Sequence, residues 1–508
     1  MHLPGLLSLL IFLPILAGII IFFISDHTDP VMERSTALVA SLANALLSLM
    51  LLSGGKAVDG VMNLSVAPYE EHFKWIQALG ITYHLRSDGL SVFLIVLVTF
   101  LTPAAIAASW HLISGAKAHV YYGCMLLLSG GMVGVLAAHD LFLFYVFWEV
   151  MLIPAFFLVG VFGGDKRVQA TTKFVIYTMV GSLLMLVGVV YAGWRYYALH
   201  HAWSFDLDDL VGLTMDPTAA SVAFLAFVLA FGIKAALFPL HTWLPDTYAE
   251  APAPVTFMLS ALMAKMGVYG FLRVALPLFP DAAHSWSPVL VGLAATGVVY
   301  AAFVALVQKD AKRVLAYSSV SHLGVILLGV FTLSPQALSG AVLQMVAHAL
   351  STGALFLLVG FLYERRGTTL IDDWGGAAKA VPVFATVFMI VMLASVGLPG
   401  LSGFVGEFLI FLGAYRDHAT AAVVAASSII FGAAYMLWLY QRLMFGPENP
   451  DTLAPRLPDL TWREGMVFIP MVALIITVGL APQILLSRIN PATDAYLSKV
   501  VLPTGNHQ

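Results

Sequence analysis

Residues 230–246 read AFGIKAALFPLHTWLPD. Lys234 stands in the apolar run of a helix, and Pro239 follows five residues later. Even lenient insertion scales put an acidic or basic side chain at mid-bilayer at about +2.5 to +3.5 kcal/mol. Proline removes a backbone donor and crowds the preceding turn, so the helix kinks or unwinds here. Lipid offers freed backbone groups no partner, so such a break faces protein or an internal cavity. The stretch therefore sets a charge beside a helix break inside a membrane.

A second stretch answers the first. Residues 396–411, VGLPGLSGFVGEFLIF, carry Pro399-Gly400 and Gly403 in mid-helix and then Glu407. Paired interruptions in two halves point to an inverted-repeat transporter; two unrelated kinks are the plainer reading. Counting apolar runs long enough for a ~30 Å core predicts an all-α polytopic membrane protein of about 14 helices. They fall near 5–24, 35–53, 91–110, 118–138, 141–162, 171–198, 219–240, 252–276, 287–307, 313–333, 336–362, 383–415, 419–440 and 464–486. The breaks lie in the seventh and twelfth. Helices 4–8 and 9–13 then form two inverted five-helix units, and the chain divides at 1–117, 118–280, 281–446 and 447–508. The longest connection, 54–90, is expected to be a folded surface loop.

Composition supports this class. The chain has 508 residues, of which 60% are hydrophobic and 10% charged; soluble domains carry roughly 25% charged residues. A net charge of −4 gives no hint of a nucleic-acid partner. One cysteine, Cys124, excludes an internal disulfide and any iron–sulfur cluster held by this chain alone. No glycine-rich dinucleotide fingerprint follows a strand pattern. The apolar N-terminus lacks a basic n-region and is expected to be a retained first helix. Basic loops containing Lys166-Arg167, Lys312-Arg313 and Arg365-Arg366 mark the cytoplasmic side, which puts both termini outside.

Two further charges share the membrane depth of Lys234 and Glu407: Glu149 in FLFYVFWEVMLIPAFF and Lys265 in LSALMAKMGVYGF. An isolated carboxylate in hydrocarbon protonates, but a lysine ~4 Å away returns about 4 kcal/mol at an effective dielectric near 20. Lys234 is the expected partner of Glu149; the plainer reading is a structural ion pair between two helices. Lys265 has small neighbours (Ser260, Ala261, Ala264, Gly267) that permit close helix approach, and a lysine in low dielectric hands on a proton readily. His322 and His348 are mid-membrane with hydroxyls nearby (Ser318, Ser319, Ser321, Ser351, Thr352). They read either as satisfied core histidines or as two proton-relay links from Lys265 to Glu407. His241, at the exit of the seventh helix, is less buried and ambiguous. No His or carboxylate pairs at metal-ligand helical spacing occur inside the membrane.

Six stretches carry a family resemblance: FWEVMLIPAFFL, KAALFPLHTWLPDTYAEAPAPV, LMAKMGVYGFLR, QKDAKRVLAYSSVSHLG, QMVAHALSTGALFL and GLPGLSGFVGEFLI. They resemble the antiporter-like membrane subunits of respiratory complex I, and also subunits of multisubunit cation/proton antiporters and membrane-bound hydrogenases. The likeness runs over helices 4–13. It implies proton translocation coupled to quinone reduction in other subunits, with Glu149, Lys234, Lys265, His322, His348 and Glu407 as the translocating groups. It implies no cofactor in this chain, and NAD, FMN, iron–sulfur clusters and quinone in its partners. Those partners are the other membrane subunits, with sister subunits of the L and N types on either side, in a bacterial inner membrane. The acid at 407 departs from the lysine usual in those sisters and in the antiporters. A sodium/proton antiporter subunit and a passive membrane anchor are the competing readings.

Overall fold

The computed structural model describes residues 4–23, 31–53, 56–58, 61–63, 69–113, 115, 117–447 and 457–500. Among them, twelve helices are long and apolar enough to cross a membrane, and two shorter apolar helices, Val92–Ala108 and Pro382–Val396, accompany them. In chain order they are α1 (Leu6–Phe23), α2 (Val31–Ser48), α3 (Val92–Ala108), α4 (Ala118–Ala137), α5 (Leu141–Val150) and α6 (Leu152–Phe162). Then come α7 (Arg167–His200), α8 (Leu207–Leu210), α9 (Pro217–Lys234), α10 (Trp243–Glu250), α11 (Ala253–Leu278), α12 (Pro280–Leu306) and α13 (Ala311–Phe331). The rest are α14 (Pro335–Arg366), α15 (Pro382–Val396), α16 (Ser402–Asp417), α17 (Ala419–Phe445), α18 (Trp462–Leu480) and α19 (Gln483–Val500).

Both expected breaks are present. Helix α9 starts at Pro217, where the Asp216 carboxylate accepts from Ala219 N at 3.0 Å, a favourable cap followed by the proline best tolerated at a first turn. It stops at Lys234, and the chain resumes as α10 only at Trp243. Ala236 takes φ 55° in between, which costs an L residue about 1–2 kcal/mol. The Trp243 indole donates to the Ile233 carbonyl at 2.9 Å, so a carbonyl freed by the break keeps a partner without water. The second break separates α15 from α16. Gly397 and Gly400 hold φ 84° and 93° there, values that glycine adopts without a Cβ penalty.

The structure adds to the sequence reading in three places. Within the 54–90 connection, β1 (Lys56–Val58) pairs with β2 (Val61–Asn63), and β3 (Tyr69–Ile76) with β4 (Ile81–Ser87), both antiparallel. Residues 64–68 of that connection and the tail beyond 500 lie outside the described residues. The segment after α18 is a further helix, α19, which packs on α14 and joins it through a Ser339–Thr493 hydroxyl pair at 2.8 Å. The fifth helix is also interrupted, at Met151 between α5 and α6. Pro154 explains it, because it cannot donate to the carbonyl one turn back.

Burial sorts the helices by role. The apolar windows of α11 and α14 are 100% buried and that of α13 is 94% buried, against 39% for α1, α7 and α18. The first three form an inner row that lipid does not reach. Helix α14 packs against α11, α13 and α16, so these four meet in one place.

Candidate functional site

The three inner helices and α16, which packs against them, each deliver one of the expected ionisable groups. Lys265 comes from α11, His322 from α13, His348 from α14 and Glu407 from α16. Lys265 is 1% exposed, His348 2% and Glu407 6%, so each relies on protein partners for solvation.

Lys265 sits beside a π-helical turn, Leu259–Met263. Such turns widen the helix and are frequent at functional sites. Its ammonium donates to the Ser260 carbonyl at 2.6 Å and lies 2.7 Å from His348 Nδ1. With Lys265 protonated it has only donors, and Nδ1 then accepts and the ring proton rests on Nε2. That nitrogen faces Ser319 Oγ at 3.3 Å. The His348 and His322 rings are 5.5 Å apart between centroids. His322 Nδ1 then meets Glu407 Oε1 at 2.9 Å, and Gln344 Nε2 donates to the same oxygen at 3.0 Å. The order Lys265, His348, His322, Glu407 thus runs through side chains in neighbouring contact, with one wider step between the imidazoles.

The other two charges behave differently. Lys234 is 1% exposed, yet its Nζ has no hydrogen-bond partner, and neither has Glu149 Oε1. The expected close ion pair is not formed. Glu149 remains near enough for its charge to act on Lys234, while the ammonium lies over the Trp148 ring, 4.9 Å from its centroid. A cation–π contact returns about 0.5–2 kcal/mol, less than the ~4 kcal/mol of a close pair at effective dielectric 20. The physical reason for the departure is the chain itself. Lys234 is the last residue of α9 and Glu149 stands two residues before the Met151 interruption, so both helix ends are set by breaks.

Backbone approach brings the two groups of charges together. A Cβ on Gly267 would lie 2.6 Å from Ala235 N and 2.7 Å from Phe231 O. Only glycine lets α11, two residues past Lys265, touch the end of α9 beside Lys234.

The helix ends around the first break are tied by charge. Asp246 on α10 receives Lys173 at 2.8 Å and Arg313 at 3.0 Å. Lys312 donates to the carbonyls of Ala249 and Ala251. Basic residues that mark one membrane side in the sequence are here also the clamps of α10. On the opposite ends, Arg273 reaches Asp88 at 2.7 Å. Burial alone would raise the Asp88 carboxyl; the guanidinium reverses this and holds it below the usual carboxylate range. His241 proves buried, 2% exposed, and its ring lies against Phe238 and Tyr300.

Sequence reasoning did not single out Gln344. The signal was present, since Gln344 precedes His348 by four residues and so shares its helix face. The π turn and the Trp148 contact left no trace in apolar periodicity.

Residues 138–432 match the family model described as NADH:quinone oxidoreductase/Mrp antiporter, TM. A Rhodobacter capsulatus protein is 39% identical over 498 residues, covering 96% of this chain and 95% of that protein. A Rickettsia prowazekii protein is 36% identical over 500 residues, covering 97% and 99%. Both are named NADH-quinone oxidoreductase subunit M. A chain of the respiratory complex I of Thermus thermophilus superposes with TM-score 0.86 at 34% identity, over 97% of this chain and 99% of that one. A chain of the Dietzia Mrp complex, at 22% identity and TM-score 0.82 over 99% and 100%, shares the fold. The chain belongs to the family of antiporter-like membrane subunits of NADH:quinone oxidoreductases and Mrp antiporters. Within that family it groups with the proteins named NADH-quinone oxidoreductase subunit M.

Proposed function

We propose that this chain is a proton-translocating membrane subunit of NADH-quinone oxidoreductase, moving protons along the buried row from Lys265 to Glu407. The observation that carries the reading is the order of neighbours: ammonium to imidazole at 2.7 Å, imidazole to imidazole at 5.5 Å between ring centroids, imidazole to carboxylate at 2.9 Å. A proton leaving Lys265 goes to His348 Nδ1, and the ring releases its Nε2 proton towards His322. His322 in turn passes its Nδ1 proton to Glu407 Oε1. Lysine ends neutral and glutamate ends protonated, with both imidazoles unchanged in proton count. Ring rotation or one bridging water spans the wider imidazole step.

Glu149 and Lys234 act as the gate at the other end. With the pair open, Lys234 is a buried cation beside the close approach of α9 to α11, and its charge disfavours a second proton on Lys265. Closing the pair neutralises it and allows Lys265 to recharge. The energy difference, up to about 4 kcal/mol at effective dielectric 20, is enough to shift a proton equilibrium by nearly three decades. Redox chemistry, with NAD, FMN, iron–sulfur clusters and quinone, takes place in partner subunits, and sister subunits of the L and N types flank this one. The breaks at α9–α10 and α15–α16 support a reading of residues 118–280 and 281–446 as inverted halves, between flanking segments 1–117 and 447–508. Both termini then face the periplasm across a bacterial inner membrane.

His348→Leu and Glu407→Gln in the assembled complex test the row. Each is expected to abolish NADH-driven acidification of proteoliposomes through this subunit while leaving assembly intact. Wild-type proton-to-electron stoichiometry in both variants would refute it.

A further inference from the structure

A second cluster of titratable groups lies apart from the buried row, where the β3–β4 hairpin meets the 204–210 segment. His84 is 2% exposed and stands between two carboxylates: Nδ1 is 2.6 Å from Asp206 Oδ2, and Nε2 is 2.8 Å from Glu70 Oε1. His72, half exposed at 51%, stacks on His84 with ring centroids 4.3 Å apart and 6° between planes. Its Nε2 is 3.8 Å from the same Asp206 oxygen. One ligand atom from each of His72, His84 and Asp206 falls within 4.8 Å of the other two.

We propose that His72, His84 and Asp206 form a binding site for a divalent transition-metal ion of the zinc class. Zinc binds imidazole nitrogen and carboxylate oxygen at about 2.0–2.2 Å in a tetrahedron, which places ligand atoms about 3.3 Å apart. The two separations to Asp206, 2.6 and 3.8 Å, bracket that value, and the exposed His72 ring completes the set by turning out of its parallel stack on His84 so that both in-plane lone pairs converge on one ion. Asp206 and His84 are buried and the exposed His72 closes over them, leaving the fourth position to solvent. The surroundings carry the second argument. A metal-bound histidine usually donates its remaining ring N–H to a carboxylate, which fixes the tautomer and raises ligand basicity. Glu70 stands at that place on His84. Asp206 is held independently, since its Oδ1 accepts from Asp208 N at 3.0 Å.

A neighbouring set, His139, Asp206 and Asp208, is also compact, but Arg86 disqualifies it. The Arg86 Nη1 lies 3.1 Å from Asp208 and 3.5 Å from His139 Nε2, so a fixed cation already occupies that corner. The preferred site joins segments that reach the gate. His84 O accepts from His139 N at 2.8 Å and Phe205 O from Leu141 N at 2.7 Å, the first residue of the helix that ends beside Glu149. A bound ion would tie the hairpin to the starting end of that helix.

The test is equilibrium dialysis of the purified assembled complex against zinc after chelation, with zinc per complex read by elemental analysis. His72→Ala removes an exposed ligand with little effect on folding, and Glu70→Gln removes only the orienting carboxylate. The wild type is expected to hold one equivalent more than His72→Ala at limiting zinc, and Glu70→Gln to weaken that equivalent about 10-fold or more. Equal zinc content of wild type and both variants across the titration overturns the site.

Discussion

At the residue scale, the account turns on how each buried charge is satisfied. Lys265 and Glu407 have protein partners, whereas Lys234 Nζ and Glu149 Oε1 have none. In the proposed mechanism the satisfied groups relay and the unsatisfied ones change partner. Gln344 gives a direct check, because it donates to the Glu407 oxygen that His322 also uses. Gln344→Leu removes a hydrogen bond to a charged group, worth about 1.5–3 kcal/mol. Proton transfer in that variant is expected to slow at least about 10-fold, read as NADH-driven pumping rate at unchanged complex content. Glu149→Ala leaves Lys234 without the carboxylate whose charge acts on it and is expected to abolish pumping, while Glu149→Asp retains part of it. The charges themselves were legible in the sequence because hydrocarbon makes each one anomalous. Their pairing was not: helix position fixes depth, but the rotamer that places Lys234 over Trp148 depends on where α9 stops.

At the element scale, both helix breaks were legible, since proline and glycine act through local backbone chemistry. The π turn beside Lys265 was not, because it conserves the apolar character of the helix. The β3–β4 hairpin escaped for another reason. Its first strand, YEEHFKWI, buries only Tyr69, so it lacks the alternation that identifies a half-buried strand. Helix α19 carries charged residues and Pro491, so it lies outside the apolar runs that the sequence reading counts. Two predictions belong here. Gly267→Leu drives a side chain into the Ala235 and Phe231 backbone and is expected to lower stability by about 1–3 kcal/mol, measured as a fall in the thermal midpoint of the assembled complex. The Asp88–Arg273 clamp sets a pH response with a definite sign. The folded carboxyl titrates below its unfolded value of about 3.9, so its stabilisation is complete above that pH. It is lost only as pH falls through the depressed folded value. The hydrogen-exchange protection factor at residues 88–95, the rate corrected for the intrinsic pH dependence of exchange, should therefore be flat from neutrality down to about pH 5 and fall below about pH 4. Asp88→Asn should lower it at neutral pH.

At the scale of the whole molecule, burial divides the helices into an inner row and an outer coat. In the proposed mechanism the inner row α11, α13 and α14, with Glu407 of α16 packed against it, carries the relay, and α9 and α5 bring the gate against its near end through the contact at Gly267. This division explains why a mainly hydrophobic chain keeps its charges without exposing them to lipid. The sequence offered the two histidines as links between Lys265 and Glu407; which of them stands next to which charge follows from helix packing. The central claim is that protons traverse Lys265. It is tested most directly by Lys265→Ala in the assembled complex reconstituted in proteoliposomes, with NADH oxidation and proton transfer recorded together. The account predicts complete assembly, sustained NADH oxidation and a reduced proton-to-electron ratio. An unchanged ratio would contradict it.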